Sequence, residues 1–263
     1  MIGLFLGDTD FSEIVLNKIK KLKKRYFIID FSNKNKFKRE KNSYRISIGK
    51  FGEIIKLIKE KKSKKVLFAG KIAKPNFSSL RLDLKGFYYI PRIIKASKLG
   101  DAAVLKELIK ILDENKIKVI KLNFFNPELT ISKGNYTNLK PNKFEISVIK
   151  KGINYLNKLN AYNHTQGIIL RNGNVVSKET SRGTKKMLQS LRKTKNSNCI
   201  LIKFPKKKQD LRVDLPTVGL DTLKDCKKVS INGIVLKSNK NIILDKKECI
   251  DFANKNNMFI NVK

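Results

Sequence analysis

Three observations on the chain predict an α/β fold in two domains. In the first half, short apolar runs alternate with amphipathic stretches, the pattern of βα units around a largely parallel sheet. Between about residues 126 and 142 this periodicity lapses into "NPELTISKGNYTNLKPN", punctuated by Asn, Gly and Pro. Beyond it, a second set of strand and helix patterns begins. With 263 residues, 41% of them hydrophobic, the chain can bury a core in each half.

The elements follow in order. "IGLFLG" reads as the first strand, and Phe11, Ile14, Val15, Ile19 and Leu22 then fall on one helical face. "YFIID" is the next strand. Phe51, Ile54, Ile55 and Ile58 repeat the helical spacing before "KKVLFAG", a buried strand that leaves through Gly70. A helix opening at Asp101, a good N-cap residue, carries Leu105, Leu108, Ile109 and Leu112 into the strand "IKVIKL". This order makes residues 1–130 a Rossmann-like domain. Residues 136–263 form the second domain. It begins with a helix on Ile146, Ile149, Ile153 and Leu156, followed by a hairpin whose turn is Asn172-Gly173. A helix near Met187, Leu188 and Leu191, the strand "CILIKF", a short helix through Leu223, a second hairpin at Asn232-Gly233, a helix after Asp245 and the strand "MFINV" complete it.

Lys+Arg 59 against Asp+Glu 22 gives a formal net charge of +37, which calls for an anionic partner. The lysines are scattered among many Asn and Ile residues, so a compositional bias of the genome is the first account of the surface, ahead of a functional one. Cys199, Cys226 and Cys249 show no paired spacing, which argues against a disulfide framework or a zinc site and for a reducing cytoplasm. The N-terminus lacks the basic flank and cleavage site of a signal peptide, and no run reaches the length of a membrane span.

Ligands of open α/β sheets bind at the carboxyl ends of strands. "GDTDF" lacks the G-x-G-x-x-G spacing, which disfavours a nicotinamide or flavin enzyme. "FAGKIAKPNFSSL" offers Gly70, Lys71 and Lys74 ahead of the stiff Pro75, suited to a phosphate or equally to a plain loop. "SRGTKKML" places Gly183 and Thr184 at a helix start, where backbone N–H groups attract phosphate, though ordinary capping by Ser181 or Thr184 would look the same. In "DLRVDLPTVG", Arg212 and Asp214 alternate with Leu211, Val213 and Leu215, so an extended segment would point both charges to one side. Pro216 then fixes a turn and Thr217 can cap the next helix. Two readings stand: Asp214 holds a divalent metal or orients water while Arg212 binds phosphate, or the two form a structural pair that pins the loop. His164 has no partners for a triad and reads as incidental.

Taken together, "IGKFGEIIKLIKEKKSKKVLFAGKIAKPNFSSL", "GDAAVL", "GTKKML" and above all "RVDLPTVG" resemble, in order and spacing, the LpxI family of UDP-2,3-diacylglucosamine pyrophosphatases of lipid A biosynthesis. The resemblance implies a Rossmann-like N-terminal domain and a family-specific α/β C-terminal domain, with the ligand in a cleft between them. It implies metal-dependent hydrolysis of UDP-2,3-diacylglucosamine to UMP and 2,3-diacylglucosamine 1-phosphate (lipid X), with Mg2+ or another divalent cation as cofactor. Asp214 is carried over as the essential residue, as metal ligand or general base, with Arg212 beside it. Gly70, Lys71, Lys74, Asp101, Gly183, Thr184 and Thr217 are the expected substrate-binding positions.

Two departures stand out. The family start is glycine-rich where this chain has "GDTDF", and an acidic E-G-T-D occurs where it has Arg182-Gly183-Thr184-Lys185; Glu179 or Asp101 would have to stand in for a missing acid. The expected protein is cytoplasmic and peripheral on the inner membrane, with an anionic membrane surface as partner and no nucleic acid; homo-oligomerisation stays open. The alternatives are a catalytically impaired homologue that binds the lipid nucleotide, and a basic nucleic-acid-binding protein, against which the scattered charge and the lack of a recognition motif both count.

Overall fold

The computed structural model describes residues 1–73, 75–159, 165–194, 198–207 and 209–263. The chain forms two compact units: Met1–Pro127 with Asp210–Asp214, and Glu128–Gln209 with Leu215–Lys263. Both are α/β.

In the first unit the elements run β1 (Ile2–Leu6), α1 (Asp10–Lys21), β2 (Tyr26–Asp30), β3 (Ser43–Tyr44), α2 (Phe51–Glu60), β4 (Lys65–Ala69), α3 (Leu84–Ser97), α4 (Asp101–Glu114) and β5 (Lys118–Val119). All five strands are parallel, in the order β3-β2-β1-β4-β5. The order reverses between β1 and β4, which makes their carboxyl ends the switch point of an open α/β sheet. Phe5, Phe27, Ile29, Val66 and Phe68 lie on one sheet face with the buried sides of α2, α3 and α4. Leu4, Leu6, Ile28 and Leu67, one residue out of phase, are fully buried on the other face, as are Val15 and Ile19 of α1, which packs on β4. Strands covered on both sides need continuous apolar runs, and "IGLFL" and "KVLFA" are such runs.

Residues 84–97 carry no element in the sequence reading, yet they form α3. Pro91 inside it and large apolar residues on two sides hide the helical stripe. Its start is fixed by Asp83, whose carboxylate accepts the Gly86 N–H at 2.7 Å and the Glu53 N–H at 2.9 Å. At α4, Gly100 takes the N-cap position with φ +103°, and Asp101 is the first helical residue. The expected cap at Asp101 is therefore one residue off. Its carboxylate still favours the positive end of the helix dipole.

The second unit contains β6 (Gly134–Asn135), α5 (Lys143–Lys158), β7 (Gly167–Arg171), β8 (Asn174–Lys178), α6 (Gly183–Gln189), β9 (Cys199–Lys203), β10 (Thr217–Val218), α7 (Leu220–Lys228), β11 (Gly233–Leu236), β12 (Ile242–Ile243), α8 (Lys246–Lys255) and β13 (Phe259–Val262). Six strands form one mixed sheet, β6-β13-β11-β9-β7-β8, and β10 pairs with β12 separately. The Asn172-Gly173 hairpin is present between β7 and β8, both residues with positive φ, as a primed turn requires. The second expected hairpin is absent: β11 starts at Gly233 and runs parallel to both β9 and β13. Asn232 instead ties β9, its Oδ1 accepting the Cys199 N–H at 3.0 Å, and Gly233 leaves room for the Phe259 ring.

Cys199, Cys226 and Cys249 are buried and unbridged. Burial pushes their thiols upward, that of Cys249 to about 12. No helix among the described residues is long and apolar enough to cross a membrane.

Candidate functional site

The carboxyl ends of β1 and β4 are sewn together by one side chain. Ser12 Oγ lies 2.9 Å from both the Gly7 and Ala69 carbonyl oxygens. The Asp8 N–H donates to the Lys71 carbonyl at 2.8 Å. Gly70 has φ +83°, and a Cβ there would stand 2.0 Å from Ser12 Oγ; only glycine fits. Lys71 leaves this junction exposed. Lys74 lies outside the described residues, as does His164.

Beside that edge sits the turn Asp210–Asp214. The Leu122 N–H, three residues beyond β5, donates to the Arg212 carbonyl at 2.9 Å, and Val213 packs on the core of the first unit. The segment is not extended, as the alternation of its residues suggests: the Val213 and Asp214 N–H groups both donate to the Asp210 carbonyl, at 3.2 and 3.1 Å. Arg212 and Asp214 therefore do not share the side of a strand. The Arg212 guanidinium forks instead onto Asp210, Nε at 3.0 and 3.2 Å from the two carboxylate oxygens and Nη2 at 2.8 Å from Oδ2. Arg212 holds the Asp210 carboxyl below its usual range against the opposing effect of burial, and Asp210 in turn raises Arg212. The result is a braced turn with a half-buried Asp214 at its end, on the carboxyl edge of the sheet.

In the second unit a buried lysine organises the predicted residues. Lys203 ends β9, and its ammonium donates to Thr184 Oγ1 at 2.6 Å and to the Thr217 carbonyl at 3.1 Å. Thr184 and Thr217 are thus joined. Thr217 does not cap α7: Gly219 holds that position, and Thr217 lies in β10 with its hydroxyl donating to the Leu215 carbonyl. Nor does Thr184 cap α6, whose N-cap position is held by Arg182 without a side-chain bond. Gly183, at φ +82°, has open space where a side chain would go. Asn241, fully buried, fixes the Lys203 carbonyl at 3.0 Å.

Glu179 belongs to the same sheet face. Its buried carboxylate oxygen Oε2 lies 2.7 Å from where a Cβ of Gly167 would be, and Gly167 is the register partner of Lys203. That oxygen has no hydrogen-bond partner among the described residues. Sequence reading missed Lys203; the signal was a lysine between Ile202 and Phe204 in an otherwise apolar run.

Both units match one family along their length. Residues 1–129 match the LpxI N-terminal domain and residues 132–261 the LpxI C-terminal domain. The chain belongs to the LpxI family. It is 26% identical over 223 residues to the UDP-2,3-diacylglucosamine pyrophosphatase LpxI of Caulobacter vibrioides, across 82% of this chain and 80% of that protein.

The positions at which this LpxI member is expected to depart from the family pattern lie at exposed or half-buried sites. Arg182 and Lys185 are exposed at the start of α6, beside the buried Thr184. Asp8, in the non-glycine start, accepts the Asn33 N–H at 2.7 Å and so holds the loop after β2. Among the described residues no group of three His, Cys, Asp or Glu side chains converges as a metal cage. Mg2+ characteristically uses one or two carboxylates and completes its shell with water and substrate phosphates, and a single carboxylate on a braced turn suits that mode.

Proposed function

We propose that this chain hydrolyses the pyrophosphate bond of UDP-2,3-diacylglucosamine, giving UMP and 2,3-diacylglucosamine 1-phosphate. The observation that carries the reading is the "RVDLPTVG" turn, in a chain that matches both LpxI domains, braced by the grip of Arg212 on Asp210. Water forms a bond to one phosphorus, the bridging P–O bond breaks, and the oxygen leaves with the other phosphate. Asp214 serves this step as metal support or as acceptor of the water's proton. Mg2+ held by Asp214 and the phosphate oxygens would supply the charge that neutralises the attacked group. Lys71 and the Gly70 junction offer cationic charge and close backbone approach to a phosphate. Lys203 positions Thr184 and Thr217.

A second reading, binding of the lipid nucleotide without turnover, is favoured by the exposed Arg182 and Lys185 at the start of α6, where the resemblance implies acids. Incubation of the purified protein with UDP-2,3-diacylglucosamine, with and without Mg2+, separates the two. Metal-dependent UMP release supports hydrolysis, and saturable binding without UMP supports the second reading.

A further inference from the structure

Helix α3 presents two apolar faces, and the fold uses one. Tyr89, Ile90 and Ile93 are buried in the core of the first unit. On the opposite side Leu84 is 90% exposed, Phe87 67% and Tyr88 69%. Pro91 and Ile94 continue this stripe at helical spacing, and Leu99 follows it, 58% exposed. Large apolar residues at such exposures occur singly on ordinary surfaces, whereas a continuous stripe marks an interaction surface.

The charge around the stripe indicates the partner. Arg81, Lys85, Lys95 and Lys98 flank it and are exposed. Of the nearby acids, Glu107 and Glu114 both pair with Arg92, at 2.7 and 2.6 Å, Asp83 accepts backbone N–H groups, and Asp101 stands exposed at the start of α4, beyond the end of the stripe. An apolar helix face rimmed by unneutralised cations matches the boundary between acyl chains and anionic headgroups, where lysine stems run along the apolar layer and their ammonium groups reach phosphate. A second copy of the chain fits less well, because it brings a net charge of +37 against the same cations. A nucleic acid complements the charge but not Leu84, Pro91 and Ile94.

We infer that the outer face of α3 is a membrane-docking surface, seating Leu84, Phe87 and Tyr88 in the interface of an anionic bilayer. The inference rests on this face and its charge, not on the hydrolase reading, so the two fail separately.

Flotation with phosphatidylcholine vesicles, with and without phosphatidylglycerol, tests it. Wild type should float with the anionic vesicles. The variant Leu84→Ser, Phe87→Ser, Tyr88→Ser should lose at least about tenfold in partitioning, with its melting temperature unchanged because all three side chains face outward. Tyr88→Cys can be labelled selectively with an environment-sensitive dye, since the three native cysteines are buried. Its emission should shift to the blue on anionic vesicles, and that of a Lys151→Cys control in α5 should not. Failure of wild type to float, equal flotation of the triple variant, or an unshifted dye at position 88 would overturn the proposal. So would a triple variant that keeps its vesicle binding but falls from dimer to monomer in sedimentation, which would make the face an interface between copies, or one that loses only RNA binding.

Discussion

Arg212 grips Asp210, two residues before it, through Nε and Nη2. This relationship changes what substitution of each acid should do. Asp210→Asn should loosen the turn and lower stability by about 1 kcal/mol, the scale of a partly exposed ion pair with well-formed geometry. Because the folded carboxyl lies below its ordinary value of 3.8, its contribution is present above that value and is lost as pH falls through the folded one. Acid unfolding of Asp210→Asn should accordingly show a shallower dependence on pH in that window. Urea titrations between pH 2 and pH 6 check this.

Lys203→Met should cost stability for a different reason. The ammonium that donates to Thr184 Oγ1 and to the Thr217 carbonyl is removed, leaving buried acceptors without that donor, at a cost of about 1–3 kcal/mol. Lys203→Arg is expected to do no better, since a planar fork does not fit a site shaped for a compact ammonium. Denaturant midpoints at neutral pH decide the matter.

Much of this was legible in the sequence, and the exceptions share a cause. The runs "IGLFL", "YFIID" and "CILIK" read as strands because a doubly covered sheet demands unbroken apolar residues, and Asn172-Gly173 reads as a turn because both residues tolerate positive φ. Asn232-Gly233 has the same letters, but its asparagine is needed to tie β9 and its glycine to admit Phe259, a demand set by residues far away in the chain, Cys199 and Phe259. The alternation in "LRVDL" suggested an extended segment; the bonds to the Asp210 carbonyl and the grip of Arg212 on Asp210 closed it into a turn instead. Lys203 was hidden by its apolar neighbours, and its role depends on Thr184 and Thr217, which only the fold brings to it.

Arg182→Glu with Lys185→Asp introduces the acids that the resemblance implies at these positions. Both positions are exposed at the beginning of α6, where acidic side chains meet the positive end of the helix, so stability should rise by about 0.3–1 kcal/mol per substitution. If these acids serve the reaction, UMP release rises as well. Thermal melts and turnover on the same preparation separate the helix effect from the chemical one.

The thiols offer a check on packing. With Cys226 and Cys249 buried and their thiols pushed upward, the native protein should resist a thiol-specific reagent at pH 8 and react fully only when unfolded. Rapid reaction of the native protein would contradict the packed second unit.

Asp214→Ala tests whether Asp214 carries the chemistry from a turn braced by its neighbours. Removing it leaves the Arg212–Asp210 pair intact, so the variant should stay folded while Mg2+-dependent UMP release from UDP-2,3-diacylglucosamine falls by about a thousandfold or more. A variant that still releases UMP at a near-normal rate, or one that melts far below wild type, would contradict the account.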